Sequence, residues 1–146
     1  MSKADQVLNY IKTQLEQAFP AGTVKQGWPA SYVRDVTAWP LVTIAPAISN
    51  ATHNGPSFTD AINWHIQLVY AAQDAEQTVT DLMAGLLTVR QALVAQRKTD
   101  RFQNWQGLIS GPPTESREAR YIDPEPGQPY AGLSFVLATT ITQTLE

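Results

Sequence analysis

The 146-residue chain contains no cysteine. Disulfide bonds, thiolate nucleophiles and thiolate metal sites are therefore excluded. Histidine is scarce as well, because His53 and His65 are the only two and neither stands in a His-x-x-x-His or His-Glu pattern. On the hairpin predicted below, the two imidazoles would lie about 20 Å apart. No metal site is expected, and His65 is interpreted as a residue of the sheet surface.

Motifs that carry catalysis or bind nucleotides are missing too. The chain has no Gly-x-Ser-x-Gly turn, no Gly-x-x-x-x-Gly-Lys phosphate loop and no Gly-x-Gly-x-x-Gly fingerprint. Four acids in one Pro-rich segment lack the oxygen spacing of a calcium loop and are interpreted as solvated: Glu115, Glu118, Asp123 and Glu125. We therefore predict no catalytic residue and no cofactor, and we expect that the protein is not an enzyme.

Charge is sparse throughout the chain. Charged residues make up 16% of it, against roughly 25% in an average soluble domain, with 10 Lys+Arg and 13 Asp+Glu. No polybasic run is present, so the composition argues against affinity for nucleic-acid phosphates. The cores of protein interfaces are depleted in Lys, Glu and Asp. Two interpretations stay open: compositional drift, or a surface that is largely covered in an assembly.

Long apolar runs are also missing. No apolar run approaches the length of a membrane span, and the opening MSKADQ is polar, so neither a transmembrane helix nor a signal peptide is expected. A chain of 146 residues is expected to form one domain, residues 1–146, with an ordinary core. We expect a soluble protein made in a cytoplasm.

Two stretches have the apolar periodicity of amphipathic helices. The first is capped by Ser2, has Asp5 in its first turn and ends near Pro20. Its apolar stripe consists of Val7, Leu8, Ile11, Leu15 and Ala18. The second spans about residues 75–96 behind an Asp74 cap. Its predicted core-facing stripe is Val79, Leu82, Met83, Leu86 and Leu93, with Leu87 and Val94 alongside.

Several segments have the alternation or the apolar content of β-strands. Pro40 and Pro46 bound the segment 41–45, which predicts a strand that begins and bends sharply rather than a long ladder. A turn-rich loop at 51–60 is expected to join it to the next strand as a hairpin. The predicted strands are 23–26, 32–39, 41–45 with a resumption at 48–51, 61–70, 105–109, 119–122 and 130–145.

The last predicted strand has the clearest alternation. One face would carry Leu133, Phe135, Leu137, Thr139 and Ile141. The other face would be small, hydroxylated and uncharged, with Ser134, Val136, Ala138, Thr140 and Thr142. The order of elements predicts an α+β fold, a mostly antiparallel sheet with two amphipathic helices packed on one face. The second face of the sheet must then meet either water or a partner.

Two charged features have both a structural and a functional interpretation. Arg90 falls inside the predicted apolar stripe. Either its stem covers apolar surface while its head reaches the sheet edge, or it pairs across a subunit boundary with an acid such as Asp35 or Asp60. A basic group after the second helix either complements the helix dipole or docks an acidic partner; it consists of Arg97, Lys98 and Arg101.

The four tryptophans fall into two pairs. Trp39 and Trp64 lie in predicted strands and are expected in the core. Trp28 and Trp105 lie beside predicted turns, where aromatic residues either complete the core or anchor contacts between chains. Both possibilities stay open for this second pair.

Taken in this order, nearly the whole chain resembles the tail-terminator (tail-completion) proteins of long-tailed bacteriophages. The similarity rests on ADQVLNYIKTQLEQAFP, PLVTIAP, NGPSFTDAINWHIQLVYA, DAEQTVTDLMAGLLTVRQAL and YAGLSFVLATTITQ. The Pro-rich segment 111–128 has no counterpart in this resemblance.

The resemblance implies a non-enzymatic structural protein of the virion. Such proteins form a ring, usually of six subunits, at the head-proximal end of the finished tail tube. The ring ends tube polymerisation and offers a surface for head–tail joining. The implied partners are further copies of the chain, the tail-tube protein and the head-side connector, with DNA only passing through the lumen and no membrane. The implied location is the tail or neck of the virion, after assembly in the host cytoplasm.

Two other interpretations stay open. One is a different virion component, either a head–tail stopper or a tube subunit; a tube subunit is expected to carry a long insertion hairpin, whereas 50–59 is predicted to be a short loop. The other is a small α+β enzyme or ligand-binding domain with a pocket between helix and sheet. The residues expected at contacts with other subunits or partners are Trp28, Arg34, Asp35, Asn54, Phe58, Arg90, Arg97, Arg101, Trp105, Thr140 and Thr142.

Overall fold

The fold is a six-stranded sheet with two helices, and the computed structural model describes residues 2–72 and 74–144. The strand order is β1-β2-β3-β6-β4, with β5 pairing further along β6. All strand pairs are antiparallel except β1 with β2. The elements are α1 (Lys3–Ala18), β1 (Thr23–Gln26), a 3-10 turn (Pro29–Ser31), β2 (Leu41–Asn54), β3 (Ser57–Ala71), α2 (Ala75–Leu93), β4 (Thr114–Glu115), β5 (Arg120–Ile122) and β6 (Tyr130–Thr144). The predicted α+β class is confirmed.

Both helices begin at the predicted caps. The Ser2 hydroxyl accepts a hydrogen bond from the Asp5 backbone N–H at 3.1 Å, and the Asp5 carboxylate accepts one from the Ser2 N–H at 3.3 Å. This reciprocal pair satisfies two N–H groups that the first helical turn leaves unpaired. At α2, Asp74 Oδ1 accepts from the Gln77 N–H at 3.1 Å. The second helix ends at Leu93, about one turn before the predicted end.

The core lies between the helices and one face of the sheet, as the alternation of β3 and β6 predicts. In α1 it contains Val7, Ile11 and Leu15. The buried residues of β3 and β6 on this face include Ile62, Trp64, Ile66, Leu68, Leu133, Phe135, Leu137, Thr139 and Ile141, and the start of β2 is buried as well, from Leu41 to Ala45. Thr139 is satisfied there, since its hydroxyl accepts from Trp64 Nε1 at 2.9 Å and donates to the Ile62 carbonyl at 3.2 Å. The last residue of the predicted strand 130–145 lies outside the described part of the chain.

The hairpin between β2 and β3 differs from the prediction. Instead of bending away after residue 45, β2 continues to Asn54. It has 14 residues in all and pairs with β3 along its whole length. The irregularity lies between Pro46 and Ile48, where the register shifts, because a bulge on an edge strand accommodates a proline that has no N–H to donate. Residues 51–60, predicted as a loop, are therefore mostly strand. His53 lies in the strand rather than in the turn, and Gly55, with φ +64, makes the reversal.

Two further predicted strands are wrong. Residues 32–39 continue from the 3-10 turn as turns and irregular backbone, because β1 pairs directly with β2 and leaves no place for another strand between them. Residues 105–109 form a turn-rich loop, with positive φ at Trp105 (55°) and Gln106 (58°), a conformation incompatible with a strand. In both segments the apolar side chains pack from irregular backbone. Such packing leaves no regular spacing of apolar residues in the sequence, so periodicity cannot distinguish it from a strand. The strand predicted at 119–122 is confirmed as β5.

Candidate functional site

The sheet extends beyond its helix-covered part as a three-stranded arm, which we define as residues 47–54, 57–63 and 138–144. In β2, every residue from Pro46 to Asn54 is exposed, and the exposure continues through Gly55 and Pro56 at the turn. The hairpin stays in register to its end, with Asn54 opposite Ser57 and Ser57 opposite Thr144. Backbone pairing rather than burial therefore shapes the tip of this arm.

The strand residues on one face of the arm carry no charge, although Arg117 and Glu118 line a cavity with Ile48 and Asn63 at its base. Residues paired across antiparallel strands lie on the same face of the sheet, so the register assembles a single surface from three strands. It consists of Ile48, Asn50, Thr52, Thr59, Ala61, Asn63, Ala138, Thr140 and Thr142. Solvated sheet faces usually carry Lys and Glu, whereas interface cores are depleted in them. This surface has the composition of a contact.

The outer edge of the arm is open. The last pair between β1 and β2 is Gln26 with Ile44, and within residues 2–72 and 74–144 no further strand pairs with that edge of β2. Alternate N–H and C=O groups of β2 beyond Pro46 therefore point outward. Natural edge strands are commonly protected by charged side chains, prolines or bulges. Here the protection is confined to the start of the arm, and the rest offers an uncharged template for another strand.

The second helix has an apolar stripe that faces away from the core, which corrects the predicted stripe. Val79, Met83 and Leu87 are 56%, 60% and 57% exposed. The buried residues of α2 are Thr78, Leu82, Gly85, Leu86, Val89 and Leu93. Gly85 favours this orientation, because its missing side chain lets the backbone lie against the side chains of Leu68 and Tyr70. With that approach the Leu82 side of the helix lies inward and the Val79 side outward.

A groove lies between this outer stripe and β5. It has a volume of about 390 Å³, and Val79 and Met83 form one wall while Tyr121 and Ile122 belong to the other. Tyr121 and Ile122 are about half exposed. We name it the α2–β5 groove. The sequence prediction missed it because it assigned Val79 and Met83 to the core; the available signal was that α2 has apolar residues on two sides.

Arg90 forms an ion pair within its own chain. Its Nη2 donates to Glu115 Oε2 at 3.1 Å, and its Nε donates to the other carboxylate oxygen. Glu115 belongs to β4 at the edge of the sheet, so the two-point contact ties the outward side of α2 to that edge. The acid paired with Arg90 within the chain is thus Glu115, and the head of Arg90 reaches the sheet edge as the first of the two interpretations predicts.

The remaining predicted contact residues belong to several separate elements. Asn54, Phe58, Thr140 and Thr142 belong to the arm, with Phe58 5.7 Å from the His53 ring. Trp105 is buried and stacks on Tyr10 at 4.5 Å, so it completes the core in this structure. The residues near the 3-10 turn are exposed and separate in sequence from the arm: Trp28, Arg34 and Asp35.

The basic residues after α2 are used in two ways. The Arg97 guanidinium donates to the Ala92 carbonyl, and the Arg97 N–H donates to Gln103 Oε1 at 2.7 Å, which satisfies groups at the end of the helix. Arg101 is exposed, with its guanidinium carbon 5.3 Å from the centre of the Phe102 ring. Arg97 thus organises the loop, whereas Arg101 is directed to its surface.

A Ser–His contact lies on the second face of the sheet. His65 Nε2 is 2.6 Å from Ser134 Oγ, and Gln67 Nε2 is 3.1 Å from His65 Nδ1. Burial, with a smaller effect from Arg117, lowers the pKa of His65. Ser134 lies in β6 between β3 and β5, both of which pair with it, so the neighbouring backbone donors are engaged in ladders rather than grouped to hold an oxyanion. The contact suits a neutral polar pair on a sheet face.

The described residues hold no group of three or more His, Asp or Glu side chains able to bind a metal ion together. Among those same residues, neither helix combines the length and apolar character needed to cross a membrane. Comparison of the chain with models of known protein families found no match, and comparison with curated proteins found none either.

Proposed function

We propose that this chain is a structural subunit that assembles through its arm into a closed ring, at the head-proximal end of a phage tail tube. The observation that supports the ring most is the exposed, uncharged face of the arm beside its open β2 edge. The place in the virion is supported by the resemblance in the order of elements. In that role the ring ends tube polymerisation and offers a surface for head–tail joining.

The physical case for assembly rests on hydration. Small hydroxyl, amide and methyl side chains lose little favourable hydration when they are covered, compared with Lys or Glu. An open β2 edge gains backbone hydrogen bonds when another strand pairs with it. In the assembly we propose, the β2 edge of one subunit contacts a different surface of the next subunit, so the contact is head to tail, and such contacts close into a ring when the rotation per subunit allows.

A tube subunit is the second candidate, and one observation favours it. The criterion that set it aside was a short loop at 50–59, whereas the structure has a hairpin of 14 and 15 residues, β2 and β3. A tube subunit stacks ring on ring into long filaments, while a terminator stops after one ring. Electron microscopy of the purified protein at high concentration separates them, because isolated rings support a terminator and filaments support a tube subunit.

Thr140→Lys with Thr142→Lys tests the contact surface directly. Thr142 is exposed, with its hydroxyl 3.2 Å from Ser110 Oγ, and Thr140 is half-buried. We expect the double variant to keep the circular dichroism spectrum and melting temperature of the wild type while losing rings in negative stain, because two charges on the arm resist desolvation.

The matched control is Thr13→Lys with Gln17→Lys, which adds the same charge to exposed positions of α1. We expect it to form rings like the wild type. Two results contradict the proposal: rings in the arm variant, or loss of its circular dichroism, which would show that the face is needed inside the subunit.

A further inference from the structure

We infer that Phe102 of one copy inserts into the α2–β5 groove of a second copy, so that successive copies join head to tail along α2. The inference rests on the proposed assembly, because it names a contact between neighbouring subunits. It uses surfaces other than the arm, so the two proposals can fail separately.

The inserting element is an apolar side chain flanked by positive charge. Phe102 is 67% exposed, the highest value for a large apolar side chain in residues 2–72 and 74–144. Arg101 lies against its ring, and Lys98 is exposed nearby in the same loop. Exposed aromatic and arginine residues are the types that most often dominate binding energy when an interface covers them.

The loop that presents Phe102 is held in shape before any contact. Gln103 Nε2 donates to the carbonyls of Arg97 at 2.6 Å and Asp100 at 2.5 Å. The Asp100 carboxylate accepts from the Gln106 N–H at 3.3 Å, and Asp100 is buried. An element that is already ordered loses less conformational entropy on binding.

The α2–β5 groove matches this element in polarity and in charge. Its lining is almost entirely apolar, and its one charged residue is Asp123. Asp74 caps α2 and Glu76 lies in its first turn, on either side of the lining residue Ala75. No lysine or arginine lines the groove in the described part of the chain. A benzyl side chain with an adjacent guanidinium therefore finds an apolar cavity and an acidic rim.

A second copy must supply the occupant because the two surfaces lie at opposite ends of α2. Val79 and Leu93 are about 21 Å apart along the helix axis. The loop stays at the far end, since Gln103 bonds to Arg97 and the Arg97 guanidinium bonds to the Ala92 carbonyl. In the contact we infer, the loop of one copy enters the groove of the next and leaves one free groove and one free loop, which gives a head-to-tail series, whereas a reciprocal two-fold contact would leave neither free.

The arm fits the groove less well. The tip from Ile48 to Thr59 carries no lysine or arginine, so it offers nothing to the acidic rim. Ile48 is exposed there and Phe58 is only partly exposed; the other exposed groups are mainly hydroxyls, amides and an open strand edge, which suit a flat polar contact rather than an apolar cavity. The charges therefore favour the loop around Phe102 as the occupant.

The test is a disulfide between copies of the full chain carrying Arg101→Cys and Asp123→Cys, which keeps Phe102 and the apolar walls of the groove in place. The native chain has no cysteine, so these are the only thiols, and a disulfide forms only when the two Cα atoms come within about 7 Å. We expect mild oxidation to give a ladder of covalent oligomers on a non-reducing gel. The control, Arg101→Cys with Thr13→Cys, places the second thiol on an exposed site of α1 and is expected to give only collisional cross-links.

Three outcomes overturn the inference: a ladder no stronger than the control, covalent dimers without higher species, or an intramolecular disulfide. Dimers alone would indicate a two-fold contact. Phe102→Ala in the native background is expected to weaken self-association by about tenfold or more in sedimentation velocity. Arg101→Glu is expected to weaken it as well, with recovery on adding Asp123→Arg.

The two proposals are distinguished by combining this test with microscopy. Rings without the covalent ladder contradict the Phe102 contact and leave the ring proposal standing. A ladder without rings supports the Phe102 contact and contradicts ring closure. The absence of both rings and a covalent ladder contradicts both proposals.

Discussion

The two helices begin in the same way and differ in how many apolar sides they have. In α1, one stripe is apolar, and its three central residues are fully buried: Val7, Ile11 and Leu15. In α2, one stripe packs on the sheet while a second, Val79, Met83 and Leu87, faces outward. Periodicity identifies a helix and its apolar sides, but it selects the buried side only when there is one candidate. A helix with two apolar stripes suggests two partners, the core and something outside.

The largest expected difference in the free energy of unfolding is between Leu86→Ala and Leu87→Ala, because the two neighbouring side chains are 6% and 57% exposed. We expect Leu86→Ala to lower the free energy of unfolding by about 2–5 kcal/mol through lost burial and a cavity. Leu87→Ala is expected to change it by at most about 0.5 kcal/mol. Urea denaturation of the two variants beside the wild type measures both. Equal losses would show that α2 buries both stripes.

Gly85→Ala tests why α2 lies in its observed orientation. A Cβ at this position would be 2.7 Å from the Tyr70 hydroxyl oxygen and 2.9 Å from Leu68 Cδ2. Alanine gains about 1 kcal/mol in helix propensity over glycine, yet we expect a net loss of about 1–2 kcal/mol from overpacking.

Tyr70→Phe provides the control for that substitution, because it removes one of the two crowded atoms. Burial raises the pKa of Tyr70 to about 12, so the hydroxyl is neutral near neutral pH and its removal leaves no charge unpaired. We expect Gly85→Ala to cost less in the Tyr70→Phe background than alone. A Gly85→Ala variant more stable than the wild type would show that the close approach does not orient the helix.

Substitution of the caps compares the starts of the two helices. Ser2→Ala and Asp74→Ala each remove a side-chain acceptor for a backbone N–H, and each is expected to cost about 1 kcal/mol in thermal or urea unfolding. At α1 the loss of stability caused by Ser2→Ala should change with pH in the acid range. The hydrogen bonds from the Ser2 side chain and then from its backbone lower the pKa of Asp5 below its ordinary 3.8.

The direction of that pH dependence follows from the lowered pKa. Stabilisation by the Asp5 carboxylate is present above the ordinary carboxyl pKa and is lost as the pH falls through the lower folded value. The difference between the wild type and Ser2→Ala should therefore shrink as the pH drops below about 4. A difference that stays constant down to pH 2 would contradict the reciprocal hydrogen bonds at this cap.

The contrast in stability between Arg90→Ala and its control is expected to be the smallest of those predicted here. The Arg90 side chain is 45% exposed, and its Glu115 partner is 25% exposed. Solvent and salt screen such a pair, so we expect a loss of about 1 kcal/mol or less, and a smaller loss at 1 M salt. The matched control is Arg120→Ala, whose pair with Glu118 is more exposed, with a 3.5 Å separation. A loss that does not change with salt would show that Arg90 acts by packing its stem on α2.

The predictable part of the fold was the part governed by local pattern. The alternation of β6 placed Phe135 in the core and Thr142 away from it, because side chains of a strand alternate whatever the partner strand is. The length of β2 was not predictable in this way. Its prolines and Asn-Gly turn are locally consistent with a loop, and only pairing with β3 extends the strand past Pro46.

In the candidate site, too, the features within one strand were predictable and those that join several segments were not. Thr140 and Thr142 were identified from β6 alone, whereas the arm they belong to needs three strands in register. The groove could not be identified from the sequence, since its walls, α2 and β5, lie about 40 residues apart along the chain and meet only after folding. Phe102 was missed because a single aromatic residue in an irregular loop has no periodic signal.

By itself, the sequence determined the two helices with their caps, the α+β class, the inward face of β3 and β6 and the scarcity of charge on the second face. These follow from side-chain periodicity, capping chemistry and composition, which act within one segment. The tertiary structure decided which side of α2 is buried, how far β2 extends and where the apolar groove lies. Those depend on close packing and strand pairing between distant segments, where one glycine against Tyr70 favours the orientation that leaves a whole helix face outward.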